Sequence, residues 1–289
     1  MRIIHRLDEM TETARGWLAG GTVGFVPTMG YLHDGHITLV EAAKRECEIS
    51  VVSAFVNPLQ FATAADFAQY PRDMTHDLQR LEAAHADVVF LPRAEDLFPE
   101  DFSTYVTPTG PLAERIEAEA IPHAQYARGV VTTMTKLFQL VRPDVAYFGQ
   151  KDAQEVALVR QFVRDLNMDI TIRVLATVRE HDGLAMGSRN HLLSPVERQA
   201  AANIYQALLA AKTLIEQGEL RAAQIETTMR SRLAASTPIT VEHVDICHPD
   251  TFNPVTQVMP GTLLAITARA GNVRLIDTML WLGDGHWRM

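Results

Sequence analysis

The chain has 289 residues, of which 47% are hydrophobic and 21% charged, and its formal net charge is −9 at pH 7. This composition is that of a globular protein with a sizeable core, and its acidity argues against a nucleic-acid partner, because counterion release would contribute nothing. The apolar runs are too short for a membrane span, and the N-terminus lacks a signal-peptide pattern, so we predict a cytoplasmic protein. The two cysteines, Cys47 and Cys247, form no pairing or metal pattern.

Up to about residue 177, apolar runs typical of strands alternate with helical patterns. The predicted strands are 22–27, 48–57, 87–91, 145–148 and 170–175, and the predicted helices are 36–45, 74–85, 129–141 and 152–166. Such alternation, with almost continuously apolar strands, indicates a parallel sheet covered on both faces. We therefore predict an α/β, Rossmann-like domain over residues 1–177 that binds its ligands at the carboxyl ends of the strands.

The pattern changes after residue 177. Two helices are predicted at 195–217 and 219–235, the first opened by Ser194 and Pro195 in the cap and first-turn positions. The strand-like runs that follow are 239–246, 263–269 and 273–280. Residues 178–289 are thus expected to form a smaller α+β domain that closes over the site.

The first motif joins strand 22–27 to the next helix and reads Phe-Val-Pro-Thr-Met-Gly-Tyr-Leu-His-Asp-Gly-His over residues 25–36. Gly30 and Gly35 would let the backbone approach a ligand closely, and a helix start presents unpaired N–H groups that suit phosphate. His33 and His36 would share one face of a helical turn and donate hydrogen bonds to a triphosphate. The alternatives are an ordinary turn with two surface histidines, or a metal site, for which no third ligand is apparent nearby.

The second motif, Phe-Val-Asn-Pro-Leu-Gln-Phe at 55–61, follows the next strand. Asn57 and Gln60 offer uncharged donors and acceptors, which suit a ligand with hydroxyl groups and a carboxylate. Alternatively, Asn57 and Pro58 simply begin a turn. Residues 62–72 look like a loop, either a mobile lid beside the site or a surface connection.

The third motif, Tyr-Phe-Gly-Gln-Lys-Asp-Ala-Gln-Glu at 147–155, again ends a strand in glycine and begins a helix. Lys151 stands where a phosphate-binding lysine would, and a helix N-terminus otherwise disfavours lysine. Asp152 and Glu155 also have the spacing of a capping box, which is a purely structural interpretation.

The fourth motif, Met-Gly-Ser-Arg-Asn at 186–190, lies near the predicted domain junction, shortly after Thr-Val-Arg-Glu at 177–180. Its turn would either close over phosphates or simply connect the domains. Together, the motifs are expected to place imidazole, lysine and arginine groups in one positive pocket. Such a pocket indicates adenylyl transfer, in which the enzyme positions the reactants and stabilises the charge of the transition state.

These motifs resemble those of the pantothenate synthetase family, within the wider nucleotidyl-transferase group that has a His-x-Gly-His signature. The resemblance covers essentially the whole chain, and it extends to Tyr-Pro-Arg at 70–72, Thr-Lys-Leu-Phe at 135–138 and Pro-Asp at 143–144. It implies an ATP-dependent ligase that joins pantoate to β-alanine through a pantoyl-adenylate, releasing pyrophosphate and then AMP. It also implies Mg²⁺ with ATP and a homodimer.

The resemblance further implies roles for single residues. The ATP site would comprise Thr28, Met29, Gly30, Tyr31, Leu32, His33, Asp34, Gly35, His36, Gly149, Gln150, Lys151, Asp152, Val178, Met186, Gly187, Ser188 and Arg189. Its catalytic members would be His33, His36, Lys151 and Arg189, with His36 as the proton donor and Lys151 at the α-phosphate. Gln60 would bind both pantoate and β-alanine, and Asn57 and Glu155 would complete the substrate site.

The chain departs from the family pattern in three places. Glu155 replaces a glutamine that binds pantoate; its carboxylate can accept from a hydroxyl, but it cannot donate and would repel the substrate carboxylate. Gly187 replaces the first serine of Ser-Ser-Arg, and Ile-Pro-His-Ala-Gln-Tyr-Ala at 121–127 replaces Arg-Pro-Gly-His-Phe. These departures concern pantoate geometry more than ATP chemistry.

Three alternatives stay open from the sequence. One is a nucleotidyl transferase that adenylylates a phosphorylated substrate and keeps AMP in its product. The second is a ligase of the same fold for another hydroxy acid or amine, which Glu155 and residues 125–127 favour. The third is a non-enzymatic nucleotide-binding protein, against which the intact His33, His36, Lys151 and Arg189 argue.

Overall fold

The structure, a computed structural model, describes residues 1–17, 20–61, 63–119 and 125–289. Residue 62 and residues 121–124, which belong to two segments discussed above, lie outside this description. The chain divides into two compact units, a first unit of Met1–Phe148 with Leu158–Val174 and a second unit of Gly149–Ala157 with Leu175–Met289. The segment that carries Lys151 therefore groups with the C-terminal residues.

The strands and helices alternate through the first unit and separate in the second. In chain order they are β1 (Arg2–Ile4), α1 (Leu7–Trp17), β2 (Val23–Thr28), α2 (Asp34–Glu46), β3 (Ile49–Ala54), α3 (Ala64–Gln69), α4 (Met74–Ala83), β4 (Val88–Phe90), α5 (Ala94–Leu97), α6 (Pro111–Glu119), α7 (Tyr126–Val141), β5 (Val145–Gly149), α8 (Ala153–Asp165), β6 (Thr171–Leu175), α9 (Pro195–Ala201), α10 (Asn203–Glu216), α11 (Ala222–Ala234), β7 (Ile239–Cys247), β8 (Leu263–Ala270), β9 (Val273–Gly283) and β10 (His286–Arg288). None of the helices in the described residues combines the length and the apolar character needed to cross a membrane.

The first unit is built on a six-stranded sheet with the order β1-β4-β3-β2-β5-β6. Strand β2 pairs in parallel with β3 from Val23↔Ile49 to Thr28↔Ala54, and with β5 on its other side. Both β2 and β3 are almost entirely buried, which explains their continuous apolar sequence. The chain thus adds strands on both sides of β2, and ligands of such sheets bind where this reversal occurs, outside the carboxyl ends of the strands.

The second unit contains an antiparallel sheet with the order β10-β9-β8-β7. One apolar cluster joins this sheet to α10 and α11, and its fully buried members include Ile204, Leu208, Ile225 and Met229. The prediction of a Rossmann-like parallel sheet followed by a smaller α+β part is confirmed. The predicted boundary at 177/178 and the closure of one part over a site stay predictions.

Two local expectations were wrong. The single helix predicted at 195–217 is divided at Ala202, where the side chain of Asn203 donates to the carbonyl oxygen of Ala200 at 3.0 Å and so competes with the helical hydrogen bonds. The loop predicted at 62–72 contains helix α3, which begins because Thr63 Oγ1 accepts a hydrogen bond from the backbone of Asp66 at 3.0 Å. The predicted cap at Ser194 is confirmed.

Helix α7 approaches the turn after β3 so closely that only glycine fits at residue 129. A Cβ on Gly129 would lie 2.6 Å from the carbonyl oxygen of Leu59. We expect Gly129→Ala to lower the free energy of unfolding by about 1–3 kcal/mol, because helix and turn must separate. Gly16→Ala in α1, where a Cβ meets nothing within 4 Å, is the control and should stabilise by about 0.5 kcal/mol. Denaturant unfolding measures both, and equal effects would contradict the close approach.

Candidate active site

The predicted site residues fall into two groups, one in each unit. The group in the first unit follows β2 and β3 and consists of Thr28–His36, Asn57 and Gln60. The group in the second unit consists of Gly149–Asp152, Glu155, Val178 and Met186–Arg189.

The turn after β2 is fixed by a carboxylate from α4. Asp77, which is 2% exposed, accepts hydrogen bonds from the backbone N–H groups of Tyr31 at 2.8 Å and Leu32 at 2.7 Å. The turn has positive φ at Gly30 (76°) and Tyr31 (52°), and a Cβ on Gly30 would lie 3.0 Å from Asp77 Oδ2. Glycine is therefore required at residue 30, both for its backbone angle and for the close carboxylate.

The two histidines lie on the first turn of α2. His33 is the N-cap residue, and its backbone N–H donates to His36 Nδ1 at 3.3 Å. The ring centroids are 4.0 Å apart and the planes are tilted by 35°. Because Nδ1 of His36 accepts this bond, the neutral ring carries its proton on Nε2. His36 can thus offer an N–H donor at a helix N-terminus, where the dipole also favours an anion.

The helix start has a second support from α4. Arg80 forms an ion pair with Asp34, the first residue of α2, and donates to the carbonyl oxygen of Leu32 at 3.4 Å. Sequence reasoning missed both Arg80 and Asp77. The available signal was the acidic residue at 77, which shares the apolar face of its helix with Leu81 four positions later; a carboxylate on a core face needs hydrogen-bond donors.

Asn57 and Gln60 lie on the turn after β3. Asn57 is 1% exposed, its Oδ1 accepts from the backbone of Leu59 at 3.0 Å and its Nδ2 donates to the carbonyl oxygen of Gly129 at 3.1 Å. These bonds join the turn to α7 and set the position of Gln60, which is half-buried at the end of the turn. The structure thus gives Asn57 a positioning role, and the contacts of both residues with a substrate stay predictions.

In the second unit, Lys151 is the central residue of a single 3₁₀ turn, Gln150–Asp152. Its Nζ lies 3.7 Å from Oδ1 of Asp152. A Cβ on Gly187 would lie 3.3 Å from the same Nζ, so the lysine and the 186–189 turn are neighbours. The side chain of Arg189 is exposed and can reach outward to an anion.

The 186–189 turn is held by a short hairpin. The backbone N–H of Met186 donates to the carbonyl oxygen of Val178 at 2.9 Å. Beyond the turn, Asn190 Nδ2 donates to Glu180 Oε1 at 2.9 Å and to the carbonyl oxygen of Ala185 at 3.1 Å. Polar contacts on both sides therefore fix the backbone of the turn.

Glu155 lies on the first turn of α8 and is half-buried. Burial and the neighbouring Asp152 carboxylate raise its pKa to about 7, and Lys151 opposes the rise. A carboxylate that capped the helix would accept backbone N–H groups and have a lowered pKa. Near neutral pH this carboxyl group therefore carries a proton part of the time.

No group of three or more His, Cys, Asp or Glu residues suited to a metal ion occurs in the described part of the chain. The histidine, lysine and arginine side chains of the two groups suit anion binding and the stabilisation of developing negative charge. A parallel sheet with paired histidines at the start of α2 therefore suits a ligand that carries phosphate.

Comparisons with known proteins define the family. The model of the pantoate–β-alanine ligase family matches residues 2–280. Pantothenate synthetase from Chloroflexus aggregans (strain MD-66 / DSM 9485) is 44% identical over 283 residues, which are 98% of this chain and 100% of that protein. The crystal structure of pantothenate synthetase from Thermus thermophilus is 40% identical, with a TM-score of 0.89, over 96% of this chain and 98% of that one. The chain belongs to the pantoate–β-alanine ligase family.

A further solved structure in the family contains ligands. Pantoate–β-alanine ligase from Francisella tularensis was crystallised with β,γ-ATP and β-alanine. It is 28% identical to this chain, with a TM-score of 0.78, and the match covers 99% of this chain and 100% of that one.

The role of Asp77 can be tested with Asp77→Asn. An amide keeps one acceptor but turns an NH₂ group towards the second backbone N–H, so we expect the free energy of unfolding to fall by about 1–3 kcal/mol. The affinity for ATP should fall at least about tenfold, because the histidine turn loses its support. Calorimetry measures the affinity for ATP, and denaturant unfolding measures the stability. Glu82→Gln, on an exposed face of the same helix, is the matched control, and equal ATP affinities in the two variants would contradict this role.

Proposed function

We propose that this chain catalyses the ATP-dependent joining of pantoate and β-alanine to give pantothenate, AMP and pyrophosphate. Membership of the family supports this proposal. The observation that carries it is the histidine pair of 33 and 36, which occupies a helix start that Asp77 and Arg80 fix from outside.

The reaction would proceed in two displacements. First, a carboxylate oxygen of pantoate attacks the α-phosphorus of ATP, the bond from that phosphorus to the bridging oxygen breaks, and pyrophosphate leaves. Second, the amine of β-alanine attacks the acyl carbon of the pantoyl-adenylate, the bond from carbon to the phosphate oxygen breaks, and AMP leaves. The amine loses one proton to solvent.

The assigned groups suit the first displacement. Negative charge grows on the departing pyrophosphate, and the Nε2–H donor of His36 and the ring of His33 are proposed to stabilise it together with the first turn of α2. Lys151 is proposed to stabilise the α-phosphate, with Arg189 as a further cation. Positioning and charge stabilisation are sufficient for such phosphoryl chemistry.

The remaining ATP contacts are proposed to come mainly from the backbone of the same segments. They involve Thr28, Met29, Gly30, Tyr31, Leu32, Asp34, Gly35, Gly149, Gln150, Asp152, Val178, Met186, Gly187 and Ser188. Tyr31 and Leu32 would contribute through atoms other than their N–H groups, which donate to Asp77. Mg²⁺ is proposed to enter as the counterion of ATP, since Mg²⁺ needs few protein ligands when phosphates coordinate it. A homodimer stays a prediction from the resemblance, and a cytoplasmic location stays a prediction from the sequence.

The substrate side would be formed by Gln60 and Glu155, with Asn57 holding the Gln60 turn. Gln60 can donate and accept, as binding of both pantoate and β-alanine requires. Glu155 can donate only while it is protonated, and its raised pKa makes this form available near neutral pH. Glu155 and residues 125–127 are the features that keep another hydroxy acid or amine open as an alternative substrate.

An assay for AMP and pyrophosphate, with pantoate and β-alanine omitted in turn, tests the reaction. We expect pyrophosphate to require pantoate, and AMP release to require both substrates. AMP that stays in the product would indicate a nucleotidyl transferase, and activity with other hydroxy acids but not with pantoate would indicate the related ligase.

In the same assay, His36→Ala should lower kcat at least about 100-fold, because one preorganised donor to the phosphates is lost. Its melting temperature should change little, since this half-buried turn residue adds little to the core. His5→Ala, at an exposed residue between β1 and α1, is the control and should keep full activity. Full activity of His36→Ala would exclude the assigned role.

The charge of Glu155 can be tested with Glu155→Gln over a range of pH. Because the folded pKa is raised to about 7, the group contributes stability that is complete below its unfolded pKa and is lost as pH rises through 7. Above pH 7 the variant should therefore be more stable than the parent, by at most about 3 kcal/mol. Denaturant unfolding against pH measures this difference.

The catalytic efficiency with pantoate should change in the same direction as the stability, so that Glu155→Gln exceeds the parent above pH 7. In the parent, kcat/KM for pantoate should fall as pH rises through 7, since the carboxylate then repels the substrate, whereas the variant should show no such fall. Glu12→Gln, at an exposed residue of α1, is the control. A loss above about tenfold in Glu155→Gln, roughly 1.4 kcal/mol, would mean that the carboxyl group itself is required.

A further inference from the structure

Two adjacent residues of β9, Asp277 and Thr278, are polar and almost completely buried, at 2% and 4% exposure. Burying polar groups in a sheet is unfavourable unless each finds a hydrogen-bond partner. Both do, and the partners belong to the two segments of the second unit that carry candidate ATP-binding residues. We call these two residues the β9 pair.

Thr278 is bonded to the Lys151 turn. Its hydroxyl donates to the carbonyl oxygen of Gln150 at 2.7 Å, and Gln150 Nε2 lies 3.4 Å from the oxygen of that hydroxyl. Gln150 is itself 4% exposed. The residue before Lys151 is thus fixed through its main chain as well as its side chain, and the direction in which Lys151 leaves the turn is fixed with it.

Asp277 is bonded to the hairpin that carries the 186–189 turn. Arg179 donates to both of its carboxylate oxygens, at 2.6 and 3.1 Å, and to the carbonyl oxygen of Gly183 at 3.2 Å. The guanidinium also lies over the ring of Tyr205, with Cζ 3.9 Å from the centroid. This planar, bidentate pair leaves the hairpin little freedom to move relative to β9.

The two attachments meet at Lys151. Its Nζ lies 3.3 Å from the position of a Cβ on Gly187, so the lysine and the hairpin turn are neighbours although 36 positions separate them in sequence. Burial raises the pKa of Asp277, and the charges of Arg179 and, more weakly, Lys151 oppose the rise. The lysine is therefore within electrostatic reach of the strand that holds both segments.

We propose that the β9 pair are positioning residues for the adenylation step, which set the place of Lys151 relative to the 186–189 turn. This inference rests on the proposed function, since it takes the α-phosphate of ATP as the target of Lys151. A displacement of about 1 Å at such a group can reduce a rate about 100-fold. Neither residue is expected to touch a substrate.

The test compares Thr278→Val, which removes only the hydroxyl, with Thr267→Val. Thr267 lies on the neighbouring strand β8 and is similarly buried, at 7% exposure, so the control matches the change in chemistry and in burial. Pantoate-dependent pyrophosphate release should slow at least about tenfold in Thr278→Val, with kcat and kcat/KM falling together, because the lost interaction acts in the transition state. Thr278→Ser, which keeps the hydroxyl, should restore the rate to within about threefold.

A second measurement does not depend on turnover. Acetylation of Lys151 by acetic anhydride, followed by mass spectrometry, should be slowed by ATP in the parent chain and in Thr267→Val, and much less in Thr278→Val. Equal rates and equal protection in the two valine variants would overturn the inference, as would a loss in Thr278→Val that its lowered melting temperature explains. If the parent releases no pyrophosphate with pantoate, the proposed function fails, whereas the protection pattern still tests the positioning.

Discussion

The first unit depends on how the backbone donors after β2 are satisfied. The carboxylate of Asp77 accepts the N–H groups of Tyr31 and Leu32, so these groups are no longer available to an anion. The turn therefore differs from a glycine-rich loop that surrounds phosphates with its own backbone. In the proposed function, the donors that the first unit offers to phosphate therefore come from the first turn of α2 and from the imidazole side chains at its start. The buried carboxylate and the half-buried histidines are two parts of one arrangement.

In the first unit, features that depend on neighbouring residues could be predicted from the sequence, and contacts between distant residues could not. The strands at Val23–Thr28 and Ile49–Ala54 were predictable because burial on both faces makes them continuously apolar. The glycine at 30 and the histidines follow directly in sequence, so their turn was predictable as a unit. For Asp77, the place on the apolar face of α4 indicated a buried carboxylate, but its partners could not be named from the sequence because they lie 45 and 46 positions away.

In the second unit, the sequence did not predict which distant segments pack together. A division near residue 177 follows from the change in pattern, yet Gly149–Ala157 groups with the C-terminal residues. One of the contacts that join them is the hydrogen bond from the Thr278 hydroxyl to the carbonyl oxygen of Gln150, which spans 128 positions. A strand-to-helix junction looks the same in sequence whether its turn packs on its own sheet or on another. A partner that is so distant in the sequence cannot be recognised before the chain has folded.

Two departures from the family pattern, Glu155 and Gly187, both lie beside Lys151. The first adds a charged group next to the lysine, and the second removes a hydroxyl group. Glu155 adds a titratable charge, but burial raises its pKa to about 7 and the lysine opposes that rise, so the carboxyl group is neutral for part of the time and can then donate as an amide does. Gly187 removes a hydroxyl group, but it also leaves space at 3.3 Å from the lysine nitrogen. A serine there would bring a hydroxyl group close to the ammonium group, whereas glycine leaves it to the Asp152 carboxylate and to the phosphate of the proposed function. The lysine is thus the common neighbour of both changes, although burial and the Asp152 carboxylate have more effect than the lysine on whether Glu155 carries a proton.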